Sequence, residues 1–544
     1  MKRFLRIASC AVLIGVMAFA PRAWGADGSV TILTLNHMVS QLLPVSEKVN
    51  RNTVFMGGLS HAAGVVQEVR RNDPEAILVV GGESVFGTMW RYFKGLPEFT
   101  SLSSMDVQAG TIGKHELDYG WEHFREAFQY IRFPMILSNV AVSAPEFVTM
   151  FKKNHIVPYG GLKVGFFALV SQASLLSAAH RSVEMQIDSD LVGAARAMVD
   201  DLKAQGADVV VMLSNLTELE NNEVAKDVSG IHAIVGRGNA SRGEPDAAFV
   251  TGPGGWLTAM AWGGTQARFV GELRIETRDG RITEQSVSWR PLTVTATARA
   301  DQAIIDLASE YEAKLNTQME RVLGLFRVPV DTRKRVIRSR EMPMGNFTAD
   351  ALRWRFKTDI GVMNAGGIRG DRIFPSGEFS EKTIFEMFPF GNGIDIVTLT
   401  GRALRQMMEI SASALAAKDD GYDVSSRVPD GGFLQVSGLR LIYDLSRPPT
   451  TFKEGGVLDQ WGSRLQGISV QKDGEWVDVD DNATYTIAVS DYIAGGGDRY
   501  FIMKEARREA TGFQDIEIVL DYIRTFENGR LDLANDGRIT IQGR

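Results

Sequence analysis

The chain is poor in the residues that usually build metal centres. It has one cysteine and seven histidines in 544 residues. Cys10 lies inside an N-terminal segment that reads as an export signal. Lys2, Arg3 and Arg6 precede the apolar run "IASCAVLIGVMAFA", and the small residues of "AWG" stand just before Ala26. That run is too short and wrongly flanked for a stable membrane span. Loss of the segment leaves no cysteine, which excludes disulfides and thiolate ligands. A lipoprotein cysteine would follow the apolar run, so no membrane anchor is expected. An excess of positive charge is also missing. The formal net charge is −7, and it becomes more negative once Lys2, Arg3, Arg6 and Arg22 are removed. Such a chain is not a general binder of nucleic acid or of anionic membranes. Any anionic ligand must be held by a local cluster of arginines and backbone N–H groups. Low-complexity tracts and internal repeats are absent too. The expected location is the periplasm or the exterior.

What is present is a chain too long for one core, so two large domains are expected. From Ser29 to about Thr293 short apolar runs ("VTILTL", "AILVVGG", "KVGFFALV", "DVVVMLSN") alternate with segments of helical spacing. This pattern predicts an α/β sheet with helices on its faces, and functional groups just after the strands. "ARADQAIIDLASEYEAKLNTQMERVLG" reads as one long amphipathic helix joining the halves. The expected division is a signal peptide over 1–25, a first domain over 27–297, a connecting helix over 298–325 and a second domain over 326–544.

In the second half, "NAGGIRG" places Asn364, two glycines and Arg369 after a strand. Gly366 and Gly367 permit close backbone approach, and Arg369 can pair with an anion through two N–H groups. "YIAGGGDRYF" ends a strand in three glycines before Tyr500, and "GGFLQVSG" sets Phe433 beside another glycine turn. Taken singly, each is an ordinary turn or a core aromatic. Two aromatics beside glycine turns, with an arginine elsewhere, suit a stacked flat ring.

With "MGNFTADALR", "FPFGN" and "FLQVSGLRLIYDLSRP" added, nearly the whole mature chain resembles the secreted 5′-nucleotidase family. The resemblance implies a four-layer α/β metallophosphatase-like sandwich followed by an α+β substrate-binding domain. It implies a nucleotide or nucleoside as the small-molecule ligand, stacked between Phe433 and Tyr500 and clamped by Asn364 and Arg369. Arg353 or Arg355 would be a further phosphate-facing arginine.

The family's two-metal centre is held by residues after successive strands, and here those positions are substituted. His37 stands for an aspartate, Val39 for a histidine, Glu83 for an aspartate and Lys114 for an asparagine. Asn215, Gly238 and Ala240 stand for three histidines. His115 and Asp118 match the family's transition-state dyad. Two dications held close together need several anionic or imidazole donors. Val39, Gly238 and Ala240 offer none, and a charged Lys114 repels a cation, supplying in its place the positive charge that a metal would give. The remaining histidines, His61, His123, His155, His180 and His232, have no ligand spacing.

Three functions are compatible with this pattern. The first is a nucleotide- or nucleoside-binding pseudoenzyme with no cofactor and an idle dyad. The second is an active phosphohydrolase using Zn, Mn or Mg at an altered site, for instance one ion on His37, Glu83 and Asn215. The third is a scaffold with both sites unused. Gln41–Leu42–Leu43–Pro44 also resembles a motif of the related sulfur-oxidation thiosulfohydrolases, which need the same missing ligands.

Overall fold

A computed structural model describes residues 26–49, 52–142, 149–172, 185–236, 245–415, 430–453 and 456–543. The export-signal segment, Gly238, Ala240 and His180 lie outside the described residues.

The first half is built on two sheets. One has seven strands in the order Val287–Thr293, Phe269–Thr277, Gly28–Leu35, Ile77–Val80, Ala109–Gly110, Met135–Ile136 and Phe151–Lys152. The other has six, in the order Asp246–Thr251, Leu257–Trp262, Ala233–Gly236, Val209–Asn215, Leu162–Val170 and Asn154–Tyr159. Alternation along the strands assigns their faces. Val30, Ile32, Ile77 and Val79 of the first sheet meet Val164, Phe166, Val209 and Val211 of the second in one core. Their neighbours Leu33, Leu35, Leu78 and Val80 point the other way, to helices Leu59–Asn72, Leu96–Ser104 and Gly120–Ala127. Phe167, Leu169, Val210 and Met212 likewise face helices Leu191–Ala204 and Glu218–Asp227. Three apolar cores therefore separate four layers, which is the sandwich the strand pattern and the resemblance imply.

Asp301 starts the long helix by accepting hydrogen bonds from the Ala303 and Ile304 amides. The helix spans Gln302–Met319, shorter than its sequence pattern, and buries Ile304 and Ala308 against the first half. Val322–Phe326, expected within the same helix, is a strand paired with Gly377–Ser380. Its Val-Leu-Gly-Leu-Phe composition favours a strand edge over helix.

The second half centres on a five-stranded sheet in the order Leu434–Ser437, Ile360–Asn364, Thr484–Ser490, Gly393–Thr400 and Arg507–Gln514. Helices Pro343–Phe356, Gly401–Ser413 and Asp515–Arg524 pack around it in one continuous core. Tyr92 bonds Glu381 across the two halves, and Phe93 packs edge-on against Tyr311 of the long helix. Among the described residues, no helix is long and apolar enough to cross a membrane.

Candidate functional site

Adjacent parallel strands end side by side, so the loops after Leu35, Val80, Gly110 and Asn215 converge at one rim. These loops carry unusual backbone. His37, Val39, Ser40 and Glu83 all have positive φ, between 46° and 59°. Non-glycine residues hold that conformation only when the surroundings impose it. Here the His37, Val39 and Ser40 amides bond the carbonyls of Gly82, Glu83 and Ser84 at 3.0–3.1 Å. The first and second loops are thus zipped together.

A buried carboxylate braces the third loop to the second. Glu116 accepts from the amides of Ser84 at 2.7 Å, Gly113 at 2.8 Å and Glu83 at 3.1 Å. Burial and the nearby Glu83 charge push its pKa up to about 7. Sequence reasoning missed Glu116. Its signal was an acidic residue inside a glycine-rich turn that leaves amides without partners. The floor is tight, since a Cβ on Gly113 would lie 2.4 Å from Glu83 Oε1 and 2.5 Å from Asn215 Nδ2.

The side chains that meet there are His37, Glu83 and His115, whose donor atoms all lie within 4.8 Å of one another. His115 Nε2 is 3.2 Å from Glu83 Oε2, and His37 Nε2 is 3.9 Å from it. His115 Nδ1 meets Asp118 Oδ2 at 2.7 Å. Burial lowers the His115 pKa, but Glu83 and Asp118 outweigh burial and the Lys114 charge, and the net shift is upward. No metal set was expected, and the one-ion alternative took Asn215 as its third donor. The structure brings His115 into a candidate group with His37 and Glu83, while Asn215 donates its side-chain amide to the Gly81 carbonyl at 3.4 Å. Asn36 Oδ1 is buried beside Gly81 and has no hydrogen-bond partner among the described residues.

Lys114 carries its charge close enough to the rim to act on His115. Its amide bonds Glu83 Oε1 at 2.8 Å. Its charge lowers the pKa values of Asp395 and Asp491 in the second half. Burial still leaves both carboxyls above their ordinary range. Val39 has no side-chain donor, and among the described residues the His, Asp and Glu donors form one group of three, a set for one ion rather than two.

In the second half the glycine turns meet back to back. The Gly366 amide bonds the Gly431 carbonyl at 2.8 Å, and the Ala365 amide bonds that of Phe433 at 2.7 Å. Asn364 is buried, and its side chain bonds Asp498. Arg369 lies over the Phe390 ring at 4.7 Å, and its Nε has no partner among the described residues. Arg338, which sequence reasoning passed over, completes the site. Its pKa is lowered by burial first and by the Arg369 charge second. Two partly buried guanidiniums that repel each other favour an anion near both. Asp430, Asp498 and Asp371 partly offset that repulsion.

The expected stacking pair is placed differently. Phe433 and Tyr500 are both 0% exposed and belong to the second-half core. Tyr500 Oη donates to the Gly432 carbonyl at 2.6 Å, so its polar tip is satisfied internally. Neither ring offers a free face here. The accessible aromatic beside Arg369 is Phe390, 53% exposed, from the "FPFGN" motif. Arg353 and Arg355 are elsewhere. Arg353 bonds Gln471 at 2.9 Å and Arg355 lies over Phe513.

Comparison with known proteins agrees with this architecture. The model of the 5′-nucleotidase C-terminal domain matches residues 322–505. Human 5′-nucleotidase is 26% identical, over 93% of this chain and 91% of its own length. Among solved structures, a 5′-nucleotidase precursor from Thermus thermophilus is 24% identical with a TM-score of 0.56, covering 95% of this chain and 100% of that one. The NAD nucleotidase of Haemophilus influenzae is 18% identical with a TM-score of 0.73, covering 95% and 99%.

Proposed function

The chain belongs to the 5′-nucleotidase family, whose members are metal-dependent phosphoesterases, and from that premise we propose that it is a secreted or periplasmic nucleotide- or nucleoside-binding pseudoenzyme. The observation that carries this reading is the chemistry of the rim. The zipped loops keep the posture of a metallophosphatase site, while Val39 and Lys114 stand where donors are needed. Among the donors that remain, Glu83 lies beside His115 and His115 is held on Asp118. The dyad is therefore engaged in an internal network and has no activated nucleophile to serve.

Ligand binding rests on the second half. Arg338 and Arg369 supply the anion recess, Asn364 a polar edge and Phe390 an open ring face. Phe433 and Tyr500 hold the glycine turns in register from below and contact a base only after rearrangement of the core. The division into units of 27–297 and 326–544, joined through the long helix, is adopted with this reading. Calorimetry with adenosine, AMP and ATP tests it. Saturable binding that weakens in Arg369→Ala supports the pocket, and no heat with any of the three overturns it.

A second reading is favoured by one observation, the His37–Glu83–His115 group. A single divalent ion there would act as a Lewis acid on a phosphate oxygen. Elemental analysis of protein purified without chelator, with a phosphatase assay in Mn²⁺, Zn²⁺ or Co²⁺, separates the two. One bound ion per chain with turnover of a nucleoside monophosphate selects the hydrolase. No bound transition metal and no turnover selects the pseudoenzyme.

A further inference from the structure

The second half carries another concave, cation-lined surface at the opposite end of its sheet. Asn364 pairs with Leu434 at the pocket end, whereas Gly361 pairs with Ser437. Three residues of strand separate the two ends by about 10 Å, at ~3.3 Å per residue. Beyond Ser437 lie two contiguous cavities of 520 Å³ and 230 Å³ that share Asp350, Arg353 and Ser437. The larger is of the size that small ligands occupy, roughly 300–1,000 Å³.

The charges lining these cavities are unevenly used. Arg538 is consumed by structure, bonding Asp350 through both terminal nitrogens at 2.7 and 2.8 Å and Asp536 at 2.8 and 2.9 Å. Arg353, Lys357 and Arg440 have no carboxylate partner among the described residues. Arg353 bonds only the neutral Gln471 amide oxygen, at 2.9 Å. Its position is built in. Gly438 has a φ of +76°, and a Cβ there would lie 3.0 Å from Arg353 Nε and 2.3 Å from the Asp359 carbonyl. Glycine thus lets the guanidinium lie against the backbone. Arg440 is held over the Trp476 ring at 4.3 Å. The wall also offers an aromatic face. Trp354 is 40% exposed and is backed by Tyr522, with ring centroids 5.3 Å apart. Tyr522 in turn packs on Phe347 and Phe526 at 5.0 and 5.2 Å. An ordered, half-exposed tryptophan beside three uncompensated cations, on an acidic protein, is a recognisable surface for a flat anion.

We infer that this groove is a second ligand site, for a small phosphorylated molecule bearing a flat ring, with phosphate on Arg353, Arg440 and Lys357 and the ring on Trp354. The site stands on its own residues and does not depend on the Arg369 pocket. It is tested by calorimetry of the full chain in an Arg369→Ala background, with ADP, pyrophosphate and adenosine as probes. ADP binds this protein at one site. Adding Arg440→Gln, an exposed change, weakens ADP and pyrophosphate together by about tenfold, the loss of one charge-assisted contact. Arg353→Gln does the same if melting shows it folded. Trp354→Leu weakens ADP by about fivefold and leaves pyrophosphate unchanged, the loss of a stacking contact. Absence of saturable ADP binding in Arg369→Ala overturns the site, as does binding indifferent to Arg440→Gln. Equal loss of ADP and pyrophosphate in Trp354→Leu overturns the ring contact. If Arg369→Ala leaves all ADP binding intact while Arg440→Gln removes it, the Arg369 pocket fails and this site stands.

Discussion

The rim of the first half is shaped by backbone held in unusual conformations, whereas the second-half pocket is shaped by side chains packed behind glycine turns. His37, Val39 and Glu83 hold left-handed conformations although none is a glycine, and Glu116 still gathers three amides. In the second-half pocket the sequence motifs are intact, yet the two aromatics they contain are sealed in the core. Loop geometry is held by backbone hydrogen bonds and one buried carboxylate, none of which depends on a bound ion. Ring exposure depends on how the glycine turns close, which sequence motifs do not encode. A motif present in the sequence and a side chain exposed in the fold are therefore separate properties.

The sharpest test of the first half is Glu116→Ala. It strands three buried amides, so a loss of about 4 kcal/mol is expected, within the range for breaking a buried charged network. Glu116→Gln recovers part of it, because a carboxamide oxygen still accepts. Denaturant unfolding checks both, and a loss near zero for the alanine variant would show that the loops are held by something else.

The second half is tested by contrasting two phenylalanines. Phe433→Ala removes a fully buried ring and costs about 3 kcal/mol of stability. Phe390→Ala leaves stability within about 0.5 kcal/mol, since its ring is half exposed, and weakens nucleotide binding by about 1–2 kcal/mol. Thermal melting and calorimetry on both proteins decide. The reverse pattern would mean that Phe433 faces the ligand and that the pocket opens.

Much of this was legible in the chain. Alternating runs such as "VTILTL" gave both faces of each sheet, because a strand buried on two sides must be apolar on two sides. That His37, Glu83 and His115 meet at one rim followed from their places just after strands. Glu116 and Arg338 were not legible. Their roles depend largely on amides and charges supplied by other segments, and the glycine-rich turn around Glu116 gave only a weak local signal. The burial of Tyr500 was hidden for the same reason, since its partner is the Gly432 carbonyl of a distant turn. In sequence Lys114 reads as a substitute for an ion; in the structure its charge acts on His115 and also on Asp395 and Asp491 across the halves.

Acidity gives a third comparison. Glu98 and Glu116 in the first half and Asp515 and Glu517 in the second are all pushed up to about 7, chiefly by burial. Their unfolded values lie near 4, so the folded chain binds more protons between about pH 4 and 7. Their stabilising contribution is present at the acid side and lost as pH rises to 7. His115, shifted upward, acts in the same direction, losing its contribution as pH rises through its folded value. His232, buried and lowered to about 4, acts oppositely as pH falls below 6.5. The four carboxyls outnumber it, so Tm is expected to be higher at pH 5.5 than at pH 8, by a few degrees (roughly 2–4 °C per kcal/mol for a domain of this size). Asp515→Asn should flatten the profile. A Tm that climbs steadily from pH 5.5 to 8 would contradict the assignment.

The smallest expected effect concerns the residue that most distinguishes the two halves. Lys114→Asn restores the family's residue at one ligand position and removes a cation that acts on both sides of the interface. Its charge pairs at a distance with Asp395 and Asp491, so stability should change by less than about 1 kcal/mol. The His115 titration is the more direct readout. Lys114 opposes protonation of that ring, so its pKa should rise in the variant and can be followed by NMR of the imidazole protons. On the pseudoenzyme reading the variant gains no phosphatase activity with Mn²⁺, Zn²⁺ or Co²⁺, because Val39 still offers no donor and coordination needs several ligands at once. If this single change yields metal-dependent hydrolysis, then the zipped loops hold a nearly complete site, and Lys114 alone has kept the ion out.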